Sequence, residues 1–211
     1  MHQTHNERAG DTAAADYCID ASGWCIDATG WLQSAAHCPS PNCNERPAGT
    51  GVELLVVHNI SLPAGCFGGG YIEALFTNRL DCGADPSFAE LAGLEVSAHL
   101  LIDRAGAVTQ FVGFDQRAWH AGKSRFAERE NCNDFSIGIE LEGTDLLPYT
   151  DAQYAVLAAV TRLLMRRYPA LESRRIVGHS DIAPGRKTDP GPAFEWARLR
   201  RLLETAVDTE S

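Results

Sequence analysis

The sequence predicts a single α/β domain in which a mixed central β-sheet is flanked by helices. Three observations predict it. Short apolar runs of strand length, ELLVVHNI, VSAHLLI and FSIGIELEG, precede one long helical pattern, a further short strand and a final helix. Apolar residues make up 45% and charged residues 22% of the 211, a globular balance with enough length for one substantial core. Gly, Pro and Asn cluster between the periodic segments rather than within them.

Residues 1 to about 16 are polar and Ala-rich and read as a disordered tail. A tandem seven-residue repeat follows, Cys18-Ile19-Asp20-Ala21-Ser22-Gly23-Trp24 and then Cys25-Ile26-Asp27-Ala28-Thr29-Gly30-Trp31. Two copies are too few for a solenoid, so the repeat reads as a duplicated anchoring segment. Pro39 to Thr50 reads as an extended loop. Glu53 to Ile60 is the first apolar strand, with His58 near its C-terminal end. After a stretch holding Gly65, Gly68, Gly69 and Gly70, a short helix is expected over Tyr71 to Leu80. Val96 to Phe114 reads as a hairpin turning at Asp103 to Gly106. In the strand Phe135 to Gly143, alternation places Ile137, Ile139 and Leu141 on one face and Gly138, Glu140 and Glu142 on the other. Thr150 and Gln153 form a capping box that opens a helix ending near Tyr168, before Pro169, with Leu157, Val160, Leu164 and Tyr168 as its apolar stripe. RIVGHS is a further strand, and a last helix is expected from Ala193 to Leu203 with Phe194, Leu199 and Leu202 inward.

The formal net charge of −10 argues against a nucleic-acid or anionic-membrane partner, which clustered Lys and Arg would hold, and points to a small-molecule partner. No apolar run approaches the ~18–20 residues that span a bilayer. The opening MHQTHNERAGDTAAADY lacks an apolar secretory core, so a cytoplasmic location is expected. The seven cysteines are an odd number without an evident oxidising compartment, so they read as mostly free thiols. A second metal site from Cys18, Cys25, Cys38 and Cys43 is the alternative, against which stands the lack of a C-x2-C knuckle.

The chemistry concentrates in GHSDIAPGRKTDPG, Gly178 to Gly191, which gathers His179, Lys187 and Asp189 in one loop. Two His and one Asp, with His58 as the third member, match the donor count of a catalytic zinc site that leaves a position for water. Spacing alone leaves His58 open between a packed core histidine and a ligand. Glu140, beside Gly138, reads either as a general base or, with Glu142, as part of a solvated strand face. Lys187 reads as an oxyanion partner or a surface lysine. His99 reads as a buried histidine bonded to backbone, and Cys132 lacks the surroundings of a thiolate nucleophile.

These residues sit in motifs, GWLQSAAHCPSPN, LLVVHNISLP, FGGGYIEALF, VSAHLLI, RAWHAG, CNDFSIGIELEGTD, YTDAQY and GHSDIAPGRKTDPGPAFEWARLR, that run from about Gly30 to Arg201. Together they resemble the type 2 N-acetylmuramoyl-L-alanine amidases, a peptidoglycan-recognition-protein-like family, in particular those acting on 1,6-anhydro-muropeptides. The resemblance implies one Zn2+ per chain held by His58, His179 and Asp189, with Glu140 and Lys187 catalytic. It implies hydrolysis of the amide between the lactyl group of the muramyl sugar and L-alanine, in cytoplasmic peptidoglycan recycling with a link to β-lactamase induction. Asn59, Trp119, His120 and Arg129 become candidates for contacting the muropeptide substrate, and a monomer is expected. The implied organisation is a flexible extension over residues 1–28, the zinc amidase domain over 29–205 and a flexible tail over 206–211.

Two positions depart from the family pattern. Glu95 and Asn131 stand where arginines associated with the acidic stem peptide are often found, leaving Arg104, Arg125 or Arg129 to compensate. Two other readings remain: a muropeptide-binding module of the same fold that does not cut, and a secreted autolysin acting on intact wall.

Overall fold

The structure, a computed structural model, describes residues 17–19 and 24–204. The tails expected at residues 1 to 16 and 206–211 lie outside the described residues. In chain order the strands are β1 (Tyr17–Ile19), β2 (Trp24–Ile26), β3 (Ala36–His37), β4 (Cys43–Glu45), β5 (Leu54–Ile60), β6 (Leu100–Ile102), β7 (Val108–Gln110), β8 (Gln116–Ala118), β9 (Arg125–Phe126), β10 (Arg129–Glu130), β11 (Ser136–Glu142) and β12 (Ile176–Gly178). The helices are α1 (Tyr71–Phe76), α2 (Asp151–Arg167), α3 (His179–Ile182) and α4 (Trp196–Glu204).

Six strands form the central sheet in the order β12-β5-β11-β6-β7-β3. β12, β5, β11 and β6 run parallel, β6 and β7 are antiparallel, and β7 and β3 are parallel, so the sheet is mixed as expected. Leu55, Val57, Ile137, Ile139 and Leu141 meet Leu157, Val160 and Leu164 of α2 on one face, and α4 packs along α2 there. The opposite face is covered by α1 with its Ile72, Leu75 and Phe76, and by the segments around Ala121, Cys132, Phe135 and Ile182. One layer is therefore regular helix and the other is mostly loop, which is where chemistry has room.

Local signals account for most boundaries. The Thr150 hydroxyl accepts from Gln153 N–H and the Gln153 side chain accepts from Thr150 N–H, closing the capping box of α2. The β6–β7 turn falls where expected: the Asp103 carboxylate accepts from Ala105 and Ala107 N–H, and Gly106 takes φ 85°.

Some boundaries differ. α1 ends at Phe76, short of Leu80, because Asn78 turns left-handed at φ 56° and the Thr77 hydroxyl bonds back to Glu73 C=O. α4 begins at Trp196 because Gly191 to Phe194 form a turn first. The expected loop Pro39 to Thr50 contains β4, whose pairing with β8 is long-range and leaves no periodicity in so short a strand. His179 opens α3 rather than ending a strand.

The repeat has a specific fate. β1 and β2 pair antiparallel with Cys18 opposite Cys25, so the two copies meet each other, and Ile26 is fully buried in the main core. Cys25 is disulfide-bonded, while Cys38, Cys43, Cys66, Cys82 and Cys132 are free. That bond removes Cys25 from the four-cysteine metal alternative.

Candidate metal centre

Strand pairing builds the site from distant residues. β5 and β11 run side by side with His58 in register with Glu140, so the two side chains leave the same face. β12 flanks β5 on its other side with Gly178 opposite Val57, which sets His179 near the level of His58. The loop beyond returns to this point because Ser180 N–H donates to Asp189 C=O at 3.0 Å. All three strands are parallel, and the site sits at their C-terminal ends, where open α/β sheets commonly bind ligands.

His58 Nδ1, His179 Nδ1 and Asp189 Oδ2 lie 3.0, 3.0 and 3.1 Å from one another. His179 Nε2 is 3.2 Å from Ala121 C=O. The same Nε2 is 3.4 Å from Arg186 Nη2, so the Ala121 carbonyl and the Arg186 guanidinium together hold the ring in place. Burial holds His58 neutral, its pKa lowered to about 4. Burial pushes the Asp189 carboxyl up, but the two imidazoles beside it outweigh that and hold it well below the usual range. Two imidazole nitrogens and a carboxylate oxygen meet at one point, and two imidazoles with a carboxylate are a catalytic-zinc donor set. These residues fit a divalent metal.

Glu140 is 9% exposed, and its Oε2 has no hydrogen-bond partner. Burial, then the charge of Asp189, raises its carboxyl well above the usual carboxylate range, with Lys187 opposing. Lys187 is exposed, yet its charge is felt at both Glu140 and His58. Neither Glu140 nor Glu142 is on a solvated face. Glu142 accepts from Gly68 N–H at 2.5 Å and from Arg104 N–H at 3.3 Å, which ties the glycine-rich loop to β11.

The other sequence-nominated residues are dispersed. Asn59 Nδ2 donates to Asp145 at 2.8 Å, and Trp119 Nε1 donates to Asn44 at 2.7 Å. His120 Nδ1 lies 2.9 Å from His58 Nε2, so its ring stands against a candidate ligand. The space beside Gly138 is filled by this ring: a Cβ on Gly138 would come within 2.4 Å of His120 Cγ. Arg129 pairs with Glu53 at 2.6 Å and stacks over Phe135, at the start of β5 rather than its end. Five residues of strand put Glu53 about 17 Å from His58. Glu95 and Asn131 are both exposed. His99 is buried and bonded to Gly138 N–H and Gln116 C=O. The Cys132 thiol is buried and its pKa raised by that burial.

Sequence reading missed three supports. Arg186 donates to Ala121 and Lys123 C=O, holding the loop over His179. The Asn133 side-chain carbonyl accepts from His120 and Ala121 N–H. Ser136 Oγ sits 3.1 Å from His120 Nε2. All three lie inside motifs quoted above, Arg186 in the Gly178 to Gly191 stretch and Asn133 and Ser136 in CNDFSIGIELEGTD, but their roles come from long-range contacts that no local pattern announces.

The geometry has counterparts. The N-acetylmuramoyl-L-alanine amidase family pattern matches residues 48–192, which include His58, Glu140, His179 and Asp189. The 1,6-anhydro-N-acetylmuramyl-L-alanine amidase AmpD of Enterobacter cloacae is 61% identical over 179 residues, covering 85% of this chain and 95% of that protein. A crystal structure of a selenomethionine AmpD derivative superposes with a TM-score of 0.81 at 60% identity, over 83% of this chain and 97% of that one. AmpDh3 from Pseudomonas aeruginosa in complex with anhydromuramic pentapeptide is 29% identical with a TM-score of 0.52, over 77% of this chain and 65% of that one. With the fold, the His-His-Asp convergence and a near full-length relative in agreement, the chain belongs to the N-acetylmuramoyl-L-alanine amidase family.

Proposed function

We propose that this chain hydrolyses the amide between the lactyl group of 1,6-anhydro-N-acetylmuramic acid and the L-alanine of the stem peptide, as a zinc enzyme of cytoplasmic peptidoglycan recycling. The observation that carries the proposal is the convergence of His58 Nδ1, His179 Nδ1 and Asp189 Oδ2 beside the unpartnered Glu140 carboxyl. The names of the AmpD relatives and the ligand of AmpDh3 support the substrate class.

His58, His179 and Asp189 would hold the metal. Bound zinc supplies a Lewis acid that lowers the pKa of water and polarises the carbonyl. Glu140 takes the proton of the attacking water on its carboxylate and returns it to the departing amine nitrogen; an unshared carboxyl is free to do so. Lys187 offers fixed positive charge to the carbonyl oxygen as it becomes anionic. No side-chain nucleophile is needed, in keeping with the buried thiol of Cys132. Asn59 and Trp119 remain the nominees for gripping the sugar or peptide. Among the described residues no helix is long and apolar enough to cross a membrane.

The test strips metal with a chelator, restores zinc and follows peptide release from anhydro-muramyl-tripeptide, with ordinary muramyl-peptide and polymeric wall alongside. Hydrolysis should vanish, return with zinc, and favour the anhydro substrate. Undiminished turnover in the metal-free protein would remove the metal from the mechanism, and equal turnover of polymeric wall would remove the recycling substrate.

A further inference from the structure

We propose that the cleft between α2, α4 and β12 is a second binding site, for a small phosphate monoester that carries an apolar body. The site stands apart from the metal reading: none of His58, Glu140, His179, Lys187 and Asp189 lines it.

β12 is an edge of the central sheet, paired on one side with β5. A cleft of about 800 Å3 runs along it, within the size range of small-molecule sites. Ile176, Val177, Trp196 and Leu203 give it an apolar floor. All of these but Ile176 are only half-buried, so the floor is apolar surface that an apolar ligand would take out of water. The walls are fixed in place. Arg162 of α2 donates to Leu202 C=O of α4 at 2.9 Å, and the Trp196 ring packs on Phe194 with centroids 4.7 Å apart. A sheet edge also invites an added protein strand. Such a strand finds few donors here, because Ile176 N–H is spent on Ser173 C=O and Gly178 N–H on the Asp181 carboxylate at 2.7 Å. Recognition therefore falls to side chains.

The side chains specify an anion. The chain carries a net charge of −10, yet Arg162, Arg166, Arg174 and Arg200 meet at this cleft. Among the described residues the acids lining it are Asp181 and Glu204, so four positive charges face two negative ones and the excess is two. A dianionic head balances that excess, whereas a carboxylate balances half of it. A guanidinium takes two oxygens of a phosphate at once and is weakly hydrated, so it exchanges water for such a partner at low cost. Arg174 bonds to Glu172 through Nε at 2.5 Å, which leaves its two Nη groups for a ligand.

The test titrates the full chain with naphthyl phosphate, naphthoate, naphthol and inorganic phosphate, and follows backbone and indole N–H shifts by 15N-resolved NMR. Naphthyl phosphate should shift Val177, Trp196 and Leu203. It should bind at least about tenfold more tightly than naphthol, which lacks the charged head, and than inorganic phosphate, which lacks the body. Naphthoate should bind more weakly than naphthyl phosphate; equal affinity overturns the assignment to a phosphate. Inorganic phosphate or naphthol binding as tightly as naphthyl phosphate overturns the two-part ligand. Shifts that gather at Trp119 to Lys123 and at Lys187, or no saturable binding of naphthyl phosphate, overturn the site itself. Arg200→Ala, at an exposed position, should weaken naphthyl phosphate about tenfold, and unchanged affinity there overturns recognition by the arginines. The shift map on the unsubstituted chain judges the site even if the variant does not fold.

Discussion

The two faces of β11 are equally buried and do opposite things. Toward α2, Ile137, Ile139 and Leu141 are fully enclosed in the main core. Toward the metal position, Gly138, Glu140 and Glu142 are also enclosed, but by an imidazole, an unshared carboxyl and a loop backbone. Burying a carboxyl without a partner costs stability, so the second face holds a group that the fold does not need. Within that face Glu142 and Glu140 divide: both oxygens of the first are hydrogen-bonded, and an oxygen of the second is left over. Burial alone therefore does not separate structure from chemistry, but hydrogen-bond accounting does.

The sharpest way to break this comparison is Glu140→Gln. Turnover should fall about 10²–10⁴-fold, the usual worth of general acid–base catalysis, while zinc affinity and the unfolding midpoint hold. Normal turnover would take the base role from Glu140 and leave its buried carboxyl unexplained. Ile139→Ala, one residue away on the other face, should cost about 2–5 kcal/mol in urea unfolding through the cavity it leaves, with turnover per folded molecule little changed. A large loss of turnover at full stability would mean the faces are not separable. Glu142→Gln should cost about 1–3 kcal/mol because it weakens the charge-assisted bonds from Gly68 and Arg104. No measurable change in stability would remove the structural role given to Glu142.

A pH test sharpens the same contrast. Burial, with Arg46 nearby, lowers His99 from 6.5 to about 3. Between those values the unfolded chain binds a proton that the folded chain refuses. The stability from His99 is therefore present above about 6.5 and is lost as pH falls toward about 3. Urea midpoints of the metal-free protein should drop from pH 7 to 5, and less steeply in His99→Asn; equal slopes would refute a neutral buried His99. The smallest effect is expected at Arg129, 46% exposed in its pair with Glu53. Arg129→Ala should cost under about 1 kcal/mol, as surface pairs do. A tenfold loss of turnover there would return Arg129 to the substrate contacts.

Much of this was legible in the sequence because its signals are local. The Thr150–Gln153 capping box starts α2, and the period-2 pattern of Ile137, Ile139 and Leu141 names the core face of β11. What was not legible depends on partners far along the chain. β4 exists because β8 pairs with it, and Arg46, in the expected loop, donates to the carbonyls of Asn133, Asp134, Phe114 and Ser136. The space that a glycine leaves at position 138 is filled by the His120 ring, which no local pattern announces.

The sequence by itself determined the fold class and the capped helix and, through motif resemblance, nominated the set His58, His179, Asp189, Glu140 and Lys187. Composition, periodicity and motif are properties of neighbours in the chain, and they suffice for that. Only the tertiary structure decided that His58 stands in register with Glu140, that Glu142 is bonded while Glu140 is not, and which nitrogen of each imidazole faces the metal position. Those are matters of register and hydrogen-bond direction, and both are set by which distant backbone a side chain meets.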